Sequence, residues 1–150
     1  MVFAQVPLVA EVRYNTPYRA LAQAYTSLDS LAIEAAYTTA AVYLTPTGPK
    51  TGKAAIGAYL GGFLAAVQSK GAVLTLSFAL VHRSVSAEVV TDVGYYRLQT
   101  TLPDGSTTVG YGKFVTQSLE ELGAYRFAFD TDRGGVTEAD FNAATPLPLH

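Results

Sequence analysis

The chain has no cysteine and no tryptophan, a single methionine, and few charges: Asp, Glu, Lys and Arg make up 15% of its 150 residues. Without cysteine there are no disulfides, thiolate metal ligands or thiol nucleophiles, and the compartment stays open, because cytosolic and exported proteins alike can lack it. Only two histidines occur, and one of them, His150, is the last residue. A histidine cluster for metal catalysis is therefore excluded, and no metal or other cofactor is expected. Ten basic against twelve acidic residues give a net charge of −2, and no Lys/Arg run is long enough to neutralise several adjacent phosphates. Nucleic acid is not an expected partner. No stretch reaches the ~18 consecutive apolar residues of a membrane span, so no membrane is expected either. The opening Met1–Ala10 is apolar, but it lacks a basic start and Pro7 interrupts it, so it does not read as a signal peptide. This start slightly favours a cytoplasmic protein, with an exported one whose leader has been removed as the alternative.

Apolar side chains, by contrast, are plentiful: 49% of the residues are hydrophobic, with ten tyrosines and seven phenylalanines. A chain of this length fits one domain that buries roughly two thirds of its unfolded surface. The apolar surplus suits a cavity wall or a subunit interface.

Thr16-Pro17 puts a capping hydroxyl before proline, and Leu21, Tyr25 and Leu28 follow at helical spacing, which predicts a first helix. Ser27 or Asp29 can cap a second, short helix with the apolar face Leu31, Ile33, Ala36 and Tyr37. Ala41–Leu44 reads as a brief edge strand, stopped by Thr45-Pro46-Thr47-Gly48-Pro49. Between Lys53 and Ser69 the stripe Ile56, Tyr59, Leu60, Phe63, Leu64 and Val67 predicts a third helix ended by Gly71. Gly57, Gly61 and Gly62 each cost that helix roughly 1 kcal/mol relative to alanine, which points to a close backbone approach as compensation. After Gly71 the period changes to two, over 73–85, 87–101, 107–118 and 123–131, with turns at Pro103–Ser106 and Glu120–Gly123. Three helices followed by an antiparallel meander make an α+β domain with its core at about 16–132. The segment 133–150, with Gly134-Gly135 and Pro146-Leu147-Pro148, is expected to be a loose tail.

Three segments resemble one superfamily. Tyr37-Thr-Thr-Ala-Ala-Val-Tyr-Leu-Thr-Pro46 is similar to its "Tyr-Ala-Asp-Asp-Ala-Val-x-x-x-Pro" segment, and Gly52-Lys-Ala-Ala-Ile56 to its "Gly-x-x-Ala-Ile" helix start. Gly112-Lys-Phe-Val and Tyr125-Arg-Phe-Ala-Phe-Asp130 look like its "Gly-Lys-(Tyr/Phe)" and "Trp-Arg-x-x-x-Asp" strands. The chain thus resembles the nuclear-transport-factor-2-like superfamily, in its ketosteroid-isomerase-like and polyketide-cyclase-like branch. The resemblance implies a curved, mainly antiparallel sheet with three helices packed on its concave face. It further implies a conical cavity between them and commonly a homodimer through the outer sheet face. Members isomerise, cyclise, open rings, bind ligands without chemistry or act as association modules, so the fold alone assigns no activity. The acid–base positions of ketosteroid isomerases are changed here: their general-base Asp falls on Leu44-Thr45, their oxyanion-hole Tyr on Leu21, and their protonated Asp on Gly112.

The remaining candidates are carboxylates, one histidine and aromatic rings. Asp130 shares a strand face with Arg126, Ala128 and Asp132, and a carboxylate held in an apolar cone has its pKa raised toward acid–base use. An ion pair with Arg126 or Arg97 is the alternative reading, and Asp92 stands in the same position. His82 continues the alternation Leu74, Leu76, Phe78, Leu80, so its ring is expected to enter the cavity or to sit hydrogen-bonded near a strand end. Tyr25, Tyr43, Tyr59, Tyr96, Phe63 and Phe114 are the expected ligand-cavity residues. If Gly112 and Phe114 point inward, Val109, Tyr111 and Val115 point outward toward a second subunit. Gly48–Ala54 is a poor phosphate loop, with one residue too few, Pro49 inside it and Ala54 in place of Ser/Thr. Asp130–Phe141 is an incomplete calcium loop. These residues favour a protein that takes up a small, mainly apolar molecule, as a cofactor-independent isomerase, cyclase or lyase, or as a non-catalytic binder or dimeric association module.

Overall fold

The two N-terminal helices form because a capping turn sits between them. The computed structural model describes residues 8–149; residues 1–7, most of the apolar opening, and His150 lie outside them. After a 3-10 turn at Val12–Asn15, helix α1 spans Thr16–Ser27 with Pro17 in its first turn and buries Tyr18, Leu21, Ala22 and Tyr25. It stops at Leu28, whose φ of 53° turns the chain back, and Asp29 then caps α2 (Ser30–Ile33) by accepting from the N–H groups of Leu31 and Ala32. Of the expected α2 face, Ile33 and Ala36 are fully buried, whereas Leu31 points to solvent.

A second 3-10 turn, Glu34–Ala36, leads into strand β1 (Tyr37–Thr45). This strand is longer than the expected Ala41–Leu44, and it is not an edge: it pairs antiparallel with β2 (Gly48–Thr51) on one side and parallel with the last long strand on the other. The edge role passes to β2, where Pro49 lacks an N–H to contribute. Helix α3 (Lys53–Ser69) follows and buries Ile56, Leu60, Leu64 and Val67. A Cβ on Gly61 would lie 2.8 Å from the Cβ of Ser30, and one on Gly57 would lie 3.0 Å from Cγ of Glu34. Close packing of α2 on α3 therefore accounts for two of the three helix glycines, while Gly62 faces open space.

Strands β3 (Val73–Ser86), β4 (Val89–Thr101), β5 (Thr107–Glu121) and β6 (Ala124–Arg133) form the expected antiparallel meander. Two of its hairpins turn on residue pairs with positive φ, Ala87-Glu88 and Leu122-Gly123, which matches the twist of the flanking strands. The sheet order is β2-β1-β6-β5-β4-β3-β7. Its concave face meets α1, α2 and α3 around a core that includes Tyr18, Ile33, Tyr37, Ile56, Leu64 and Phe127.

Two β-bulges change which residues face inward. In β3, Leu80 pairs with Gly94 and His82 with Val93, which leaves Val81 unpaired. In β6, Phe127 pairs with Ser118 and Phe129 with Gln117, which leaves Ala128 unpaired. A one-residue slip moves every later side chain to the opposite face. Beyond the first bulge Arg83 turns inward in place of His82, and beyond the second Asp130 joins Phe127 on the concave side.

The tail is ordered structure, contrary to the expectation from its glycines and prolines. Thr137 and Asp140 form a reciprocal capping box on helix α4 (Glu138–Ala143), and Thr145–Pro146 pairs with β3 as strand β7. Leu147 is buried in the core cluster, and its N–H donates to the carbonyl of Phe78. Between these anchors, Phe141 stacks on Tyr111, with ring centroids 5.7 Å apart, so α4 covers part of the outer sheet face.

Candidate functional site

A cavity of about 450 Å³ lies between the concave sheet face and helices α1 and α3. Its walls are mostly aromatic. All six aromatic residues expected there line it: Tyr25 and Phe63 from the helices lean together at 6.2 Å, Tyr43 and Tyr59 at 6.0 Å, and Tyr96 and Phe114 come from the sheet. Tyr59 and Phe63 stay about two-fifths exposed despite their place in the apolar stripe of α3, because they face the cavity rather than the core.

Two carboxylates enter this wall from β6. Asp130 is 7% exposed and accepts a hydrogen bond on Oδ2 from the Tyr37 hydroxyl at 2.7 Å. Among the described residues no other side-chain donor reaches it. Arg126 donates instead to the carbonyls of Glu121 and Ala35, and Arg97 to Gln99, so neither ion pair considered for Asp130 forms. Burial pushes the Asp130 carboxyl up to about 7; the Tyr37 hydrogen bond works against that rise and the charge of Asp132 adds to it. Asp132, two residues on and past the same bulge, accepts a hydrogen bond from the Tyr43 hydroxyl. The surrounding phenols are held neutral: burial pushes Tyr96 up to about 12, with the charge of Asp132 adding to the effect, and raises Tyr25 and Tyr43 further.

Asp92 lies elsewhere. It is fully buried and takes two hydrogen bonds from Arg83, at 2.8 and 2.9 Å. The Tyr18 hydroxyl donates to the same carboxylate at 2.7 Å and lies 2.7 Å from Thr116 Oγ1, while Arg83 also donates to Asn15 Oδ1 and the carbonyl of Leu8. The Asp92 carboxylate is thus satisfied within the protein and does not line the cavity. Nor does His82: the Val81 bulge turns it to solvent. Of the three acid–base candidates, only Asp130 is at the cavity.

The positions that carry the isomerase residues have other tasks here. Leu44 points outward, Thr45 ties its turn through a 2.7 Å hydrogen bond to the carbonyl of Gly48, and Leu21 lines the cavity as an apolar wall. A Cβ at Gly112 would overlap the ring of its cross-strand partner Tyr96, so glycine there lets the tyrosine lie across the strand. The calcium-like spacing of Asp130, Asp132 and Asp140 is accounted for separately: the first two line the cavity and the third caps α4. Among the described residues no group of three His, Asp or Glu side chains could hold a metal ion, and no helix is long and apolar enough to cross a membrane.

Sequence reasoning missed Tyr37, Asp132, Tyr18 and Thr116 as lining residues. Asp132 was open to discovery as the i+2 neighbour of Asp130 on one strand face. Tyr37 was hidden because its segment read as the end of a helix.

A seven-stranded coiled sheet closed on one side by three helices, around an aromatic cavity, is the nuclear-transport-factor-2-like cone fold. No family model matches the chain, and no curated protein matches its sequence. Solved structures do. Aln2 from a Streptomyces species superposes with a TM-score of 0.73 at 16% identity, covering 82% of this chain and 88% of its own. A protein from Catenulispora acidiphila gives 0.70 at 18% identity, covering 81% and 88%. A ketosteroid isomerase-like protein from Erwinia carotovora atroseptica gives 0.60 at 16%, covering 83% and 95%. At these identities the likeness establishes the fold alone.

Proposed function

We propose that the protein is a cofactor-independent acid–base enzyme, an isomerase, cyclase or lyase, that acts on a small, mainly apolar molecule held in the cone, with Asp130 as the proton-transfer group. One observation carries this reading: a carboxyl buried in the cavity wall, without a cation partner among the described residues and with its pKa raised to about 7. Such a group is divided between its two protonation states near neutral pH, so it can both take and return a proton. Tyr37 holds Oδ2 and so orients the carboxyl, leaving Oδ1 for the substrate. The neutral phenols of Tyr25 and Tyr96 are donors suited to a negative charge that develops on a substrate oxygen. Proton removal beside a carbonyl, followed by return of the proton, ring closure or elimination, uses only these parts.

Solvent deuterium exchange tests this without knowledge of the net reaction. Wild-type protein incubated in D2O with a panel of enolisable aryl ketones should catalyse exchange at the α-carbon, seen by proton NMR. Asp130→Asn should lower that rate by roughly 10²–10⁴-fold. Equal rates in the two proteins would remove Asp130 from the chemistry.

The second reading, a non-catalytic binder or association module, draws on the changed positions Leu44-Thr45, Leu21 and Gly112. It expects tight retention of a ligand and no exchange. Under either reading we propose a homodimer through the outer sheet face, supported by the exposure of Val93, Val109 and Val115 there, with Tyr111 already partly covered by Phe141.

A further inference from the structure

The charge and the rings of the cavity narrow the ligand class, an inference that rests on the ligand-binding reading above. Among the described residues every ionisable group lining the cavity is either a carboxyl, Asp130 or Asp132, or a tyrosine, and no Lys, Arg or His lines the space. The Lys50 ammonium sits over the Tyr59 ring with Nζ 5.3 Å from the centroid, and Lys50 does not line the cavity. An anionic ligand would lose its hydration and meet one or two like charges without a counter-ion, a large cost in an apolar enclosure.

The rings point the same way. Aromatic faces attract ammonium groups, as the Tyr59 ring already does for Lys50. Tyr25, Tyr59, Tyr96, Asp130 and Asp132 all line this one cavity, and the charges of the two carboxylates add to the rise in the Tyr25 pKa. Asp130 Oδ1, in a side chain more than nine-tenths buried, has no side-chain donor among the described residues and faces that region. Rings from both the helices and the sheet, with a carboxylate oxygen that no side-chain donor among the described residues reaches, form a receptor for a cation on an apolar body.

We infer that the ligand of this cavity carries a protonated amine, seated among Tyr25, Tyr59 and Tyr96 against Asp130 and Asp132, with its apolar remainder on Phe63, Phe114 and Leu21.

Three probes of one shape test this: 2-(2-naphthyl)ethylamine, 2-(2-naphthyl)ethanol and 2-naphthylacetate, titrated at pH 8. The chain has no tryptophan, so naphthyl emission reads binding directly. The amine should bind at least about tenfold more tightly than the alcohol, the scale of a desolvated cation–aromatic contact joined by an ion pair. The acetate should bind most weakly. Asp132→Asn and Asp130→Asn should each reduce the amine's advantage over the alcohol, and because Asp132 is the less buried of the two, its variant guards against loss of folding. An alcohol that binds as tightly as the amine would overturn the inference and leave the apolar cavity standing. So would an acetate that binds most tightly and loses its affinity in Lys50→Gln. Failure of all three probes to bind would overturn the inference and the ligand-binding reading together.

Discussion

Replacing Asp92 with asparagine should destabilise the protein severely, because it strands a buried cation. The Arg83 side chain is 5% exposed and that of Asp92 is 1% exposed, and the two share a bidentate contact at 2.8 and 2.9 Å. Removing one partner of such a pair costs about 3–5 kcal/mol, most of it the penalty of leaving the other charge buried and unpaired. In a domain of this size each kcal/mol lowers Tm by roughly 2–4 °C, so a fall of about 6–20 °C is expected. Tyr18 adds to the loss, since its hydroxyl donates to the same carboxylate. The double variant Arg83→Met/Asp92→Leu removes both charges and should recover much of the stability, which makes the two sites strongly non-additive. Urea denaturation of the wild type, Arg83→Met, Asp92→Leu and the double variant reads the cycle, with Asp92→Asn measured beside them. An Asp92→Asn midpoint within about 0.5 kcal/mol of wild type, or a double variant as unstable as the sum of the singles, would refute the structural role assigned to Asp92.

Gly112→Ala should cost about 1–3 kcal/mol, as overpacking does, because its Cβ would overlap the Tyr96 ring; combining it with Tyr96→Ala should remove that cost, as measured by the same denaturation assay. Stability should also fall as pH rises between about 4 and 7. Asp130 has a native pKa near 7 against an ordinary 3.8, so in that window the folded state binds a proton that the unfolded state does not. This contribution is complete below pH 4 and lost above 7, is on the order of 4 kcal/mol at most, and should be absent from Asp130→Asn.

Side-chain periodicity made the helices and the four long strands legible, because a stripe such as Ile56, Leu60, Leu64 and Val67 has no other reading at that length. Tyr25, Tyr43, Tyr59, Tyr96, Phe63 and Phe114 are singled out by the chemistry of their rings rather than by phase, and all six line the cavity. Phase also explains the failures. Alternation carried past Leu80 puts His82 inward, yet the unpaired Val81 hands that place to Arg83, and with it the true partner of Asp92. The Ala128 bulge puts Phe127 and Asp130 on one face although their spacing is odd. No single residue type announces such a bulge. Tyr37 and the rest of β1 owe their place to parallel pairing with β6, a long-range contact that leaves no local pattern. In the tail, Gly134-Gly135 and the prolines predict loose chain, whereas Thr137-Glu-Ala-Asp140 carries a capping signature that starts α4 and prevails.

The claim on which the functional account rests is that the cavity holds Asp130 as an acid of near-neutral pKa. Titration of the Asp130 side-chain carboxyl by 13C NMR measures this directly, with Asp130→Asn assigning the resonance. A midpoint near 7, lowered when Asp132→Asn removes the neighbouring charge, is the expected result. A midpoint near the ordinary ~3.9 of an aspartate would contradict it.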